Sequence, residues 1–109
     1  MSKHARYAAA IALMILVTSL ASSAQESAAN TFNTKCAMCH GNDGLGDTTV
    51  GKALGVPSYK SAEVRKLSNA ELIAVVKNGK NNKMPAFGKQ LTDTQIKDVV
   101  QYIHTLQKK

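Results

Sequence analysis

The clearest hydrophobic pattern lies near the C-terminus, where Ile96, Val99, Val100, Ile103 and Leu106 recur at the spacing of one helix face. Thr92 stands before that stripe with Gln95 three positions on, a capping box that predicts where the helix begins. Lys108 and Lys109 fall where the negative end of a helix dipole attracts cations. A second amphipathic stretch runs from Ser68 to Asn78. Ser68 and Glu71 form its capping box, Leu72, Ile73 and Val76 its buried stripe with Leu67 or Val75 alongside, and Gly79 its terminator. Ala28, Phe32 and Cys36 stand four apart, so a shorter helix is expected from Ala28 to Cys39. Gly41 to Thr49 reads as a loop, with Gly44, Gly46 and Asp47 as turn formers; its Asn42, Asp43 and Asp47 lack the spacing and closing glutamate of an EF-hand. No segment alternates like a strand and no repeat is visible. The pattern predicts an all-α domain of three to four short helices.

One apolar stretch falls outside that domain. Lys3, His4 and Arg6 precede a run from Ala8 to Leu20, followed by the small residues Ala21-Ser22-Ser23-Ala24. This is the layout of an export signal cut after Ala24, and residues 1–24 are read as one. No charge occurs between Arg6 and Glu26, so an uncleaved anchor is the alternative, marginally long against the roughly 20 apolar residues of a membrane helix. The expected mature chain, residues 25–109, has only Phe32, Tyr59, Phe87 and Tyr102 as aromatics and no tryptophan. A domain of this size usually needs a staple beyond its apolar core.

The chemistry is concentrated in Cys36-Ala37-Met38-Cys39-His40. C-x-x-C-H is the attachment signature of c-type haem. Two thiols on one helical turn can each add to a vinyl group of the same porphyrin, and the adjacent histidine can then reach the iron. A thioredoxin-like dithiol, half a zinc site and a structural disulfide are the other readings. The first lacks a surrounding βαβ pattern; the second lacks a further ligand pair at suitable spacing.

With that motif, the chain resembles the class I c-type cytochromes, in particular their small soluble bacterial members, from about Ala28 to Leu106. The resemblance implies a small cytochrome c fold around one covalently bound haem c, Cys36 and Cys39 holding it and His40 as one iron ligand. The second ligand in the family lies in a Met-Pro segment before the last helix. Met84-Pro85 occupies that place, 44 residues past His40. Met38, between the cysteines, cannot reach the opposite face; His104 on the last helix is the rival and reads as a surface residue. His40 and Met84 are therefore the expected metal ligands. Ala28 and Phe32 match family positions that meet the last helix, where Tyr102 is the aromatic opposite. Where the family often has Gly-Pro-x-Leu, with a carbonyl accepting from the haem histidine, this chain has Gly51-Lys52-Ala53-Leu54; the Lys52 or Pro57 carbonyl is expected to take that role, and Leu54 to pack on the haem. Tyr59 and Asn81 are candidate partners of the propionates. Haem is attached outside the cytoplasmic membrane in such proteins, which agrees with the export signal.

The whole chain has net charge +7; losing Lys3 and Arg6 leaves twelve basic and seven acidic side chains, or +5. Positive surface steers association with acidic partners. No basic cluster interleaved with aromatics suggests nucleic acid, and no Ser/His/Asp or paired-carboxylate set suggests a catalyst. The expectation is a periplasmic, monomeric electron carrier, not an enzyme, meeting redox proteins with acidic docking surfaces and touching membrane complexes transiently. Lys35, Lys52, Lys83 and Lys89 are candidates for the docking rim.

Overall fold

The computed structural model describes residues 27–109, and the proposed export signal lies outside the described residues. Helix α1 covers 27–35, and a turn at Cys36 leads into the single-turn helix α2, Ala37–His40. Then follow α3 (Thr49–Leu54), α4 (Ala62–Arg65), α5 (Asn69–Asn78) and α6 (Asp93–Lys108). Among the described residues there is no strand, only one isolated antiparallel bridge between Lys80 and Met84.

Both expected capping boxes are formed. Glu71 N–H donates to Ser68 Oγ at 3.1 Å, while Thr92 N–H donates to Gln95 Oε1 at 2.9 Å and Gln95 N–H to Thr92 Oγ1 at 3.1 Å. Each helix therefore starts where its first orphan N–H groups find side-chain acceptors. Two short helices exceed the expected three to four. Thr48 caps α3 and Ser61 caps α4, but neither helix is long enough to display an apolar period. The helix expected to run unbroken to Cys39 is instead interrupted at Cys36.

The core is the α6 stripe packed against α1, α5 and the segments between. Ile96, Val99, Val100, Ile103 and Leu106 are all at most 4 % exposed. Phe32 is fully buried, its ring 5.2 Å from that of Tyr102 and 6.1 Å from that of Tyr59. Burying such a ring contributes about 1.5–3 kcal/mol, so the α1–α6 contact anchors the N-terminal helix. Lys77 and Asp93, 3.2 Å apart, join the end of α5 to the start of α6. Both are exposed, so that pair contributes little.

Candidate functional site

α2 and the Cys36 that caps it bring three chemically distinctive residues, Cys36, Cys39 and His40, onto one turn. His40 N–H donates to the Cys36 carbonyl at 3.0 Å, and Gly41 N–H to Ala37 at 2.8 Å. Thr48 then fastens the turn to α3. Its hydroxyl donates toward the Met38 carbonyl at 2.7 Å, with the Cys39 carbonyl at 3.1 Å, while its oxygen accepts from Gly51 N–H at 2.9 Å. One hydroxyl thus satisfies carbonyls at the end of one helix and caps the start of the next.

Cys36 and Cys39 are half-buried free thiols, not a disulfide. Burial pushes the Cys36 thiol up to about 11; Lys35 opposes the shift and Cys39 adds to it. Burial also holds His40 below the ordinary histidine range, so at neutral pH it is the uncharged imidazole that can bind a metal. The ring of His40 lies against Tyr59, centroids 4.8 Å apart and planes 17° apart. Tyr59 is itself buried, and its hydroxyl is driven well above the usual phenol range, first by burial and then by Cys36.

His40 Nδ1 is buried without a hydrogen-bond partner among the described residues. The expected carbonyl is therefore not in place. Neither Lys52 nor Pro57 takes that bond; the Lys52 carbonyl instead accepts the N–H of Gly55 at the end of α3, at 3.3 Å.

A cavity of about 430 Å³ opens beside α2. This lies within the ~300–1,000 Å³ typical of small-molecule and cofactor sites. Cys36, Cys39 and His40 line one part of it, and Met84 lines it from the loop between α5 and α6. Most of the wall is aliphatic or aromatic, with Leu54, Val64, Leu67, Val76, Phe87 and Ile103 among its side chains. Tyr59 and Asn81 also border it. Lys35, Lys80 and Lys83 border it with exposed side chains, whereas Lys52 and Lys89 do not line it. His104 does not line it either. That residue is half-buried, bonded to Asn69 at the start of α5 and to Gln107 one turn on in α6.

The loop bearing Met84 is a tight reversal. Asn81 and Asn82 both adopt φ 55°, and Lys83 Nζ reaches across to the Leu54 carbonyl at 3.4 Å. The spacing of Met84 gave its neighbourhood; the left-handed asparagine pair that turns the loop was not visible in the pattern. Nor was the Tyr59–His40 stack, which joins residues 19 apart through a loop closed on Gly44.

The donor set fits covalent haem: two thiols and an uncharged imidazole on one turn, a thioether across the cavity and largely apolar walls. Comparison with known proteins agrees. Residues 23–103 match the family described as cytochrome C oxidase, cbb3-type, subunit III. The chain is 36% identical over 100 residues to cytochrome c6 of Thermosynechococcus vestitus, covering 88% of this chain and 83% of that one. It is 32% identical over 84 residues to the cbb3-type cytochrome c oxidase subunit CcoP of Azospirillum brasilense, and 35% over 86 residues to the subunit FixP of Azorhizobium caulinodans. Each alignment covers 76% of this chain, but the chain spans only 28% and 27% of those oxidase subunits. The solved KustC0563 c-type cytochrome superposes with a TM-score of 0.66 at 28% identity, covering 72% of this chain and 94% of that one. The chain belongs to the c-type cytochromes, in the family of the cbb3-type oxidase subunit III. It is a small monohaem cytochrome c, its cofactor is covalently bound haem c with iron, and the work of its family is electron transfer.

Proposed function

We propose that this chain is an exported one-electron carrier in which Cys36 and Cys39 would hold the haem while His40 and Met84 would ligate its iron. Haem iron supplies reversible one-electron exchange between its ferric and ferrous forms. The protein's residues set the conditions for that exchange. The observation that carries the reading is that Met84, 44 residues from His40, lines the same apolar cavity as the Cys-x-x-Cys-His turn. A thioether is a weak donor that favours ferrous iron, so it raises the potential relative to a second imidazole. Two protein ligands also deny the metal to small gases. The carrier performs no catalysis of its own.

Residues 1–24 act in this reading as a cleaved export signal, releasing a monomeric periplasmic domain of residues 25–109. No helix among the described residues is long and apolar enough to cross a membrane. Its partners are redox proteins with acidic docking surfaces, including membrane-bound complexes met transiently.

The deciding experiment is an absorption spectrum of the reduced protein before and after carbon monoxide. An unchanged spectrum is expected, with CO reactivity appearing in Met84→Ala. A prompt shift in the unmodified protein overturns His/Met ligation and favours a sensor or enzyme.

The oxidase relatives favour a second reading, a cytochrome subunit held in a larger membrane complex. The native size of the protein after mild extraction separates the two: a mass near that of a single domain supports the free carrier.

A further inference from the structure

The end of α6 is closed by cations from another part of the chain. The final carbonyls of a helix have no intrahelical N–H to accept, and they form the negative end of its dipole. Arg65, the last residue of α4, donates from Nη2 to the Gln107 carbonyl at 3.0 Å and from Nε to the Lys60 carbonyl at 2.8 Å. Lys60 Nζ in turn donates to the Lys109 carbonyl. Residues 42 and 49 positions apart are thereby held together.

That contact gathers charge. Lys66 follows Arg65, and Lys108 and Lys109 follow Gln107, so Lys60, Arg65, Lys66, Lys108 and Lys109 share one end of the molecule. The acids nearest to them in the chain are Glu63 in α4 and Glu71 in the first turn of α5, where Glu71 already accepts from Ser68. Five cations against two acids place three of the net +5 charges of residues 25–109 at this end. The ion pair among the described residues is that of Lys77 with Asp93, so no carboxylate neutralises any of the five. Closing the helix accounts for Lys60 and Arg65. It leaves Lys66, Lys108 and Lys109 exposed, their side chains bonded to nothing among the described residues.

The surroundings of these charges select the partner. A protein interface places apolar or aromatic anchors at its centre. The large apolar side chains exposed among the described residues are Met38 and Val50, in α2 and α3, and neither belongs to this end. A layer of lipid headgroup phosphates needs no such anchor, because unpaired cations on flexible stems bind it by charge alone. We propose that this end of the molecule adsorbs reversibly to an anionic lipid surface, with Lys66, Lys108 and Lys109 meeting the headgroups. None of the five lines the cavity, so a molecule held in this way keeps Lys35, Lys80 and Lys83 for a protein partner. The inference does not depend on which residues ligate the iron.

The test is cosedimentation of the haem-loaded protein with vesicles of phosphatidylcholine, alone or mixed with phosphatidylglycerol. Binding is expected on the mixed vesicles at low salt, with release at high salt. Each cation near an anionic surface is worth about fivefold in affinity, so combining Lys66→Gln, Lys108→Gln and Lys109→Gln should weaken binding about a hundredfold. Those three side chains close no helix, so the Tm should hold. Lys52→Gln, Lys89→Gln and Lys97→Gln together remove the same charge from residues outside both this end and the cavity, and should cost far less. Equal losses in the two triple variants would reduce the effect to net charge and overturn the inference. Equal binding to phosphatidylcholine alone would overturn it in favour of apolar insertion. A Lys66, Lys108, Lys109 variant that binds vesicles normally but exchanges electrons more slowly with an acidic redox protein would assign this end to protein docking instead.

Discussion

Met84 and Lys80 exchange both of their main-chain hydrogen bonds, at 3.0 Å from Lys80 N–H and 3.1 Å from Met84 N–H. Three residues, Asn81 to Lys83, close the reversal, and Gly79 precedes it. The backbone at Met84 is therefore fixed by the chain itself, which would lower the entropy lost if its thioether binds the iron as proposed.

Gly79 should be the weak point of that arrangement. Its φ of 78° with ψ of −179° is a region essentially reserved for glycine, and a Cβ there would lie 2.6 Å from the Met84 carbonyl. Gly79→Ala is expected to cost about 1–3 kcal/mol, seen as a lower Tm. It should also loosen Met84 enough for the reduced protein to bind carbon monoxide. A normal Tm with no CO reactivity would show that the loop accommodates the methyl group.

At Gly51 two effects oppose each other. Alanine in a helix interior is favoured over glycine by about 1 kcal/mol, yet a Cβ at this site would strike the Cys39 carbonyl and lie 2.6 Å from that of Gly46. Neither carbonyl is a flexible side-chain end, so the clash should win. Gly51→Ala is expected to lose about 1–3 kcal/mol in denaturant titration, as overpacked sites do. A gain in stability would mean that α3 can move off α2 freely.

Acid should weaken the fold through His40. Burial lowers its folded-state value below the usual ~6.5, so its contribution is complete above that pH and is lost as pH falls through the lowered value. No polar or charged residue is among the buried ones described, which keeps carboxylates from dominating this window. Iron on the ring would hold it uncharged to lower pH still, so thermal melts of the haem-loaded protein should show Tm flat across the histidine range and falling only below it. A Tm that already falls as pH drops through about 6.5 would mean that His40 titrates as a free imidazole and is not an iron ligand.

Haem removal should cost most of the stability. A dry cavity costs roughly 24 cal/mol per Å³, so the hollow of about 430 Å³ corresponds to about 10 kcal/mol as an upper bound, since it opens to water. Domains as a whole are stable by about 5–15 kcal/mol. A Cys36→Ser, Cys39→Ser chain is expected to lack a cooperative urea transition by circular dichroism. A sharp transition would show that the helices close over the space unaided.

Association with an acidic redox partner should slow as ionic strength rises, because Lys35, Lys80 and Lys83 border the cavity as exposed cations. Stopped-flow rates between about 10 mM and 500 mM salt, spanning Debye lengths of roughly 30 Å to a few Å, provide the measurement. Salt-independent rates would assign docking to apolar contact instead.

Local physics made much of this protein legible in one dimension. Capping boxes at Ser68 and Thr92 and the stripe from Ile96 to Leu106 depend on neighbours three or four residues away, so helix starts and the buried face of α6 followed from sequence alone. Cys36, Cys39 and His40 are likewise a local set, whereas Met84 was marked by its resemblance to the family's Met-Pro segment. The short helices α3 and α4 were illegible because a helix of four to six residues shows no apolar period. The stacking of Tyr59 on His40 and the bond from Gln107 to the Tyr59 carbonyl join residues from separate elements. Spacing along the chain carries no record of such contacts. Only packing α6 against the Gly44–Tyr59 segment decides which groups the buried imidazole meets.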